Sequence, residues 1–68
     1  MAGMSSVTSW LAFDCHGKQI FEGDVVRNIN KPDEKYTVYM VGSNNMITVY
    51  RNGGIINASQ VELVMRAL

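Results

Sequence analysis

The chain has a single cysteine, Cys15, among 68 residues, so no disulfide can close within it. A small residue in a reducing compartment is the plain reading of that thiol. There is also one histidine, His16. Structural zinc sites want four ligands, usually in two spaced pairs. The neighbours Asp14, Cys15 and His16 therefore read as a turn with a solvated imidazole. A Cys–His nucleophile is equally disfavoured, because adjacent residues seldom face each other usefully. No cofactor is expected.

An excess of charge of one sign is missing too. Six Lys and Arg stand against six Asp and Glu, for a formal net charge of zero. That weighs against duplex DNA or an anionic membrane as the dominant partner, though a local patch is compatible with it. No apolar run approaches the ~20 residues that cross a bilayer. Met1 to Ser6 lacks the charged start of a signal peptide and reads as a flexible leader. The expected location is the cytoplasm. The one proline, Pro32, cannot donate to a ladder and belongs in a loop or at an edge.

What is present is a series of short apolar segments between tight turns. A chain of this length makes one domain, placed at residues 7–68, and such a domain is marginal alone. Val7 to Phe13 is an apolar stretch with Trp10 at its centre, open to a strand, a helix or a flap. Asp14 to Gly17 is a turn. Gln19 to Phe21 is a brief strand in which Ile20 or Phe21 plugs the core. Glu22-Gly23-Asp24 is a tight reversal. Gly17 and Gly23 accept positive φ, and Asp24 is expected to fix the reversal by accepting backbone N–H bonds. As paired carboxylates, Glu22 and Asp24 invite an acid–base reading, but the structural role is favoured.

Strands follow at 25–30, 36–42 and 46–51, with a polar loop around Lys31 to Glu34. They should form one antiparallel meander with Gly42 to Asn45 at its tip. Alternation places Tyr36, Val38 and Met40 on one face and Thr37, Tyr39 and Val41 on the other. Asn52-Gly53-Gly54 is the strongest short hairpin signal. Ile55 to Asn57 is a short strand, Ala58 to Gln60 a single turn of tight helix, and Val61 to Met65 the last strand. On that strand Val61, Leu63 and Met65 should face one way. The fold class is all-β: a small SH3-like barrel of about five short antiparallel strands with one helical turn near 58–60.

The segment Phe13-Asp14-Cys15-His16-Gly17-Lys18-Gln19-Ile20-Phe21-Glu22-Gly23-Asp24-Val25-Val26-Arg27 resembles the opening of the YopX family of bacteriophage and prophage proteins. That family carries D-x-x-G-K-x-I-[YF]-E-G-D-[IV]-V. The matching positions are Asp14, Gly17, Lys18, Ile20, Phe21, Glu22, Gly23, Asp24, Val25 and Val26. The resemblance covers under a third of the chain. From Tyr36 onward the chain departs from it and is similar to generic small barrels with a Gly-Asp-x-Val start. It implies a mobile-element origin and an SH3-like barrel, and it carries no activity over to any residue.

The candidate binding set is Tyr36, Tyr39 and Tyr50 with Arg27, Lys35 and Arg51, and Trp10 beside them. Tyrosine and arginine are enriched in contact hot spots and also stack on single-stranded bases. Tyr36 and Tyr39 lie on opposite faces of one strand, so the three tyrosines cannot form one platform. Packing of at least one tyrosine into the core is favoured. Met40, Met46 and Met65 are core filler or an adaptable contact surface. Three functions follow in order. The first is a non-enzymatic interaction module for a host or phage protein, with a homodimer among its partners. The second is a nucleic-acid-binding barrel, and the third an enzyme with a site shared across an oligomer.

Overall fold

The computed structural model describes residues 10–50 and 54–67. The expected leader at 1–6, the start of the apolar stretch at Val7, and Arg51, Asn52 and Gly53 lie outside the described residues. The fold is all-β. Among the described residues, seven strands run β1 (Ala12–Phe13), β2 (Gln19–Ile20), β3 (Val25–Asn28), β4 (Lys31–Val41), β5 (Met46–Val49), β6 (Ile55–Asn57) and β7 (Val61–Met65). One 3-10 turn, Ala58–Gln60, precedes β7.

Strands β1 and β2 make a two-stranded sheet, and the rest form a five-stranded sheet in the order β6-β5-β4-β3-β7. All pairings are antiparallel. The expected meander is therefore present as β3, β4 and β5. Its second hairpin turns on Asn44 and Asn45, both at positive φ (56° and 63°). Met46 N–H donates to the Ser43 carbonyl at 3.1 Å, which closes the turn. Two successive left-handed residues match the right-handed twist of the flanking strands, and asparagine is among the few side chains that tolerate the position. Gly42 is not at positive φ.

The other end of the meander is tighter than expected. β3 stops at Asn28, and Ile29-Asn30 makes the turn. The Asn28 carboxamide oxygen accepts the Asn30 N–H at 2.8 Å and so mimics a backbone turn. β4 then begins at Lys31, inside the stretch expected as a polar loop. The loop survives within the strand: Asn28 pairs with Lys31 and Arg27 with Lys35, so Pro32, Asp33 and Glu34 have no partner across the ladder. Proline is tolerated in a bulged, exposed stretch of this kind.

Two further bulges correct the expected faces. Val38 pairs with Val49 and Met40 with Thr48, so β4 spends two residues where β5 spends one. Tyr39 is the extra residue. An extra residue shifts every later side chain to the opposite face. Val38 is buried and Val41 packs against the core, whereas Met40 is exposed. Tyr36, Val38 and Met40 thus do not share one face. Likewise, Val26 pairs with Leu63 and Val25 with Met65, which leaves Val64 unpaired. Met65 is exposed instead of following Val61 and Leu63 inward.

The core is Ala12, Ile20, Val26, Val38, Ile47, Val49, Ala58 and Val61, with Tyr36, Val41, Ile56 and Leu63 packed on it. It draws on both sheets and on the 3-10 turn, so neither sheet has a core of its own. Full burial of each Val or Ile is worth roughly 1.5–3 kcal/mol. Of the two candidates for the core plug, Ile20 fills it and Phe21 is exposed.

Two buried carboxylates, Asp14 and Asp24, join the early turns to the last strand and the segment after it. The Asp14 Oδ1 accepts the N–H groups of His16 and Lys18, each at 2.8 Å. Its Oδ2 accepts the Leu63 N–H at 2.8 Å. The Asp24 Oδ2 accepts the Phe21 N–H at 2.8 Å, and its Oδ1 the Ala67 N–H at 2.7 Å. Each acid thus stabilises its own turn and pins the C-terminal segment. Buried charge is tolerated because its oxygens are filled by fixed donors.

Candidate functional site

The turns at Gly17 and Gly23 lie where they were expected, while Gly53 lies outside the described residues. Gly17 and Gly23 have φ of 79° and 91°. At Gly23 the space is also tight, since a Cβ there would sit 3.0 Å from the Ala67 Cβ. Asp24 accepts backbone N–H bonds in its reversal. Gly54 has an ordinary φ, and its carbonyl accepts the Val49 N–H at 2.9 Å.

The candidate binding residues do not converge. Tyr36 is half-buried against the core, and its hydroxyl donates to Glu34 Oε1. That bond raises the Tyr36 pKa above its usual value; the Asn28 side chain opposes it and desolvation adds to it. Arg27 Nε lies 3.4 Å from Glu62 Oε1, and His16 Nε2 lies 3.3 Å from Glu62 Oε2. Arg27 is thereby drawn towards β7. Lys35, its neighbour across the β3–β4 ladder, is exposed. Arg51 lies outside the described residues.

Tyr39 and Tyr50 do meet. Their ring centroids are 5.2 Å apart with an interplanar angle of 63°, an edge-to-face pair. Both rings are exposed. The bulge at Tyr39 sends this ring outward, and the Tyr50 N–H is held by the Thr37 carbonyl at 2.9 Å.

The Asp14-Cys15-His16 run behaves as a turn. The Asp14 carboxylate is filled by three backbone donors. Desolvation pushes its pKa up, but the bonds from Leu63, Lys18 and His16, with the His16 charge, outweigh it and hold the carboxyl below the usual range. The Cys15 thiol is pushed up, first by desolvation and then by the Asp14 and Glu62 carboxylates, so it stays a thiol rather than a nucleophilic thiolate. Among the described residues, no three His, Cys, Asp or Glu side chains are grouped to hold a metal ion. No helix there is long and apolar enough to cross a membrane.

A concavity lies elsewhere among the described residues. It is a groove of about 670 Å³ beside β2 and the end of β4, lined by Trp10, Leu11, Ile20, Phe21, Met40 and Val41, with Gln19 and Glu22 at its polar edge. Trp10 is 53% exposed, Leu11 52%, Phe21 46% and Met40 46%. Sequence reading picked out Trp10 but missed Phe21 and Met40 as its neighbours. Met40 reaches the groove only because of the Tyr39 bulge, which no local pattern announces. Phe21 is turned out because Ile20, not Phe21, is the residue that β2 buries. Small domains rarely leave so many large apolar side chains together in water unless something covers them. Compared with family models, curated proteins and solved structures, the chain finds no match in any of the three.

Proposed function

We propose that this protein is a non-enzymatic protein-interaction module of phage or prophage type, built on the plan of an SH3-like barrel and working in the bacterial cytoplasm. The observation that carries the reading is the groove: Trp10, Leu11, Phe21 and Met40, each about half exposed, converge on one concave surface. Aromatic and Met side chains around a concavity are the composition of an interaction hot spot. The barrel plan is supported by the strand order β6-β5-β4-β3-β7 and by the 3-10 turn that leads into β7. The phage origin is supported by the Asp14 to Val26 resemblance to YopX proteins.

The nucleic-acid reading has one observation on its side, the exposed Tyr39–Tyr50 pair. Against it stand the zero net charge and the Glu62 carboxylate beside Arg27. Capture from a bacterial lysate separates the two. The protein-interaction reading expects a protein retained by wild type and lost with Phe21→Ser, but kept with Tyr39→Ser. Retention of nucleic acid that falls steeply with salt and depends on Tyr39 would overturn it.

A further inference from the structure

Resting on the reading of the groove as a protein-docking face, we propose that its occupant is a partner segment in which an apolar side chain sits next to an arginine or lysine. The apolar half follows from the lining. Ile20, almost fully buried, forms the base, and Trp10, Leu11, Phe21, Met40 and Val41 form the walls. A volume of about 670 Å³ takes a few side chains, not a whole domain.

The cationic half follows from charge. Glu22 is the charged side chain in the groove lining, and Arg66 stands behind it against Phe21. The Arg66 guanidinium lies 5.2 Å from the centroid of the Phe21 ring. Its Nη1 donates to the Gln19 carbonyl at 3.0 Å and lies 3.8 Å from Asp24 Oδ2. The buried Asp24 carboxylate therefore offsets the Arg66 charge. Glu22 lines the groove, is exposed, and belongs to no ion pair among the described residues. The uncompensated charge of the rim is negative.

The rings act in the same direction. Aromatic faces carry negative potential and attract cations, and Phe21 already holds one in Arg66. A partner cation beside the apolar anchor meets Glu22 and the Trp10 face. A partner carboxylate in that place meets repulsion from both. Like-charge juxtaposition of this kind selects between partners more than it adds affinity.

Trp10 is the only tryptophan in the chain and stands in the groove wall, so its emission reports occupancy directly. The test titrates the full chain with three acetylated, amidated peptides: Gly-Leu-Leu-Arg-Gly, and the same peptide with Gln or Glu in place of Arg. The expected result is a blue shift of Trp10 emission, with affinity falling from Arg to Gln to Glu. The Arg peptide should bind about 5-fold tighter than the Glu peptide, as one solvent-exposed ion pair permits. The difference should shrink at about 0.5 M salt, and Glu22→Lys should invert the order. Phe21→Ser, checked for a native β-type circular dichroism spectrum, should lose the response.

Equal affinity for all three peptides overturns the cation preference and leaves the docking face standing. No emission change from any peptide up to millimolar concentration overturns both. An emission shift with protein concentration alone, together with a doubled mass by light scattering, places a second copy in the groove and overturns the proposed occupant.

Discussion

The Asp14 carboxylate and the Leu63 backbone are joined across 49 positions of sequence by a 2.8 Å hydrogen bond. The same carboxylate holds the turn from His16 to Lys18. One side chain thus couples the β1–β2 hairpin to the last strand of the main sheet. A second, Asp24, repeats the device with Phe21 and Ala67. The turn that Asp24 holds, directly after β2, carries Phe21 and Glu22, so the clamp also shapes the groove.

Asp14→Asn should destabilise the protein by about 1–3 kcal/mol. A carboxamide offers one oxygen where three backbone donors need two, and its N–H₂ group faces a donor. Urea unfolding measures the difference. A change within about 0.5 kcal/mol, the range of ordinary surface substitutions, would show that the clamp does not contribute.

The same bonds fix the sign of a pH effect. The folded pKa of Asp14 is depressed, because its backbone donors and the His16 charge outweigh the desolvation that pushes it up. A depressed carboxyl stabilises the fold above its unfolded pKa, and that stability is lost as pH falls through the folded value. Stability should therefore decline from near the ordinary carboxylate value of 3.8 downward. Urea midpoints taken from about pH 5 to about pH 2 should fall more steeply for wild type than for Asp14→Asn. Parallel acid limbs would contradict the assignment.

Gly23→Ala should cost more than Gly17→Ala. Both glycines have positive φ, which costs a side-chain-bearing residue about 1 kcal/mol or more. At Gly17 the new Cβ meets nothing within 4 Å, while at Gly23 it lies 3.0 Å from Ala67. The Gly23 variant should lose about 2–3 kcal/mol and the Gly17 variant about 1 kcal/mol. Equal melting temperatures would mean that the C-terminal segment yields freely.

The two turn asparagines should separate in the same way. Asn44→Gly keeps the left-handed turn and should be neutral within about 0.5 kcal/mol. Asn45→Gly also keeps it but removes the side chain that accepts the Phe13 N–H at 2.8 Å and donates to the Phe13 carbonyl at 3.2 Å. It should lose about 1–2 kcal/mol. Thermal unfolding of the pair decides it, and equal stability would remove the cross-link from the account.

These residues also mark what the sequence could disclose. The turns at Gly17, Gly23 and Asn44-Asn45 were legible because positive φ restricts residue type locally. The strands after β1, apart from the Lys31 start of β4, and the 3-10 turn near 58–60 were legible from apolar runs between turn signals. The face of Met40 was not, because the Tyr39 bulge adds one residue to β4 and reverses the alternation that follows. Nor was the role of Asp14. Its turn was visible in Asp14-Cys15-His16-Gly17, but nothing in that tetrapeptide names Leu63 as a partner. The groove depends on both hidden features, and so Trp10 and Met40 stood out singly as contact residues but their meeting did not.

The most direct measurement on the proposed docking face is a map of backbone amide chemical shifts when the captured partner protein is added. The account predicts changes concentrated at Leu11, Gln19, Phe21, Glu22, Met40 and Val41, with Tyr39, Tyr50 and Arg27 little changed. Changes centred on Tyr39, Tyr50 and Arg27, with the groove residues undisturbed, would contradict it.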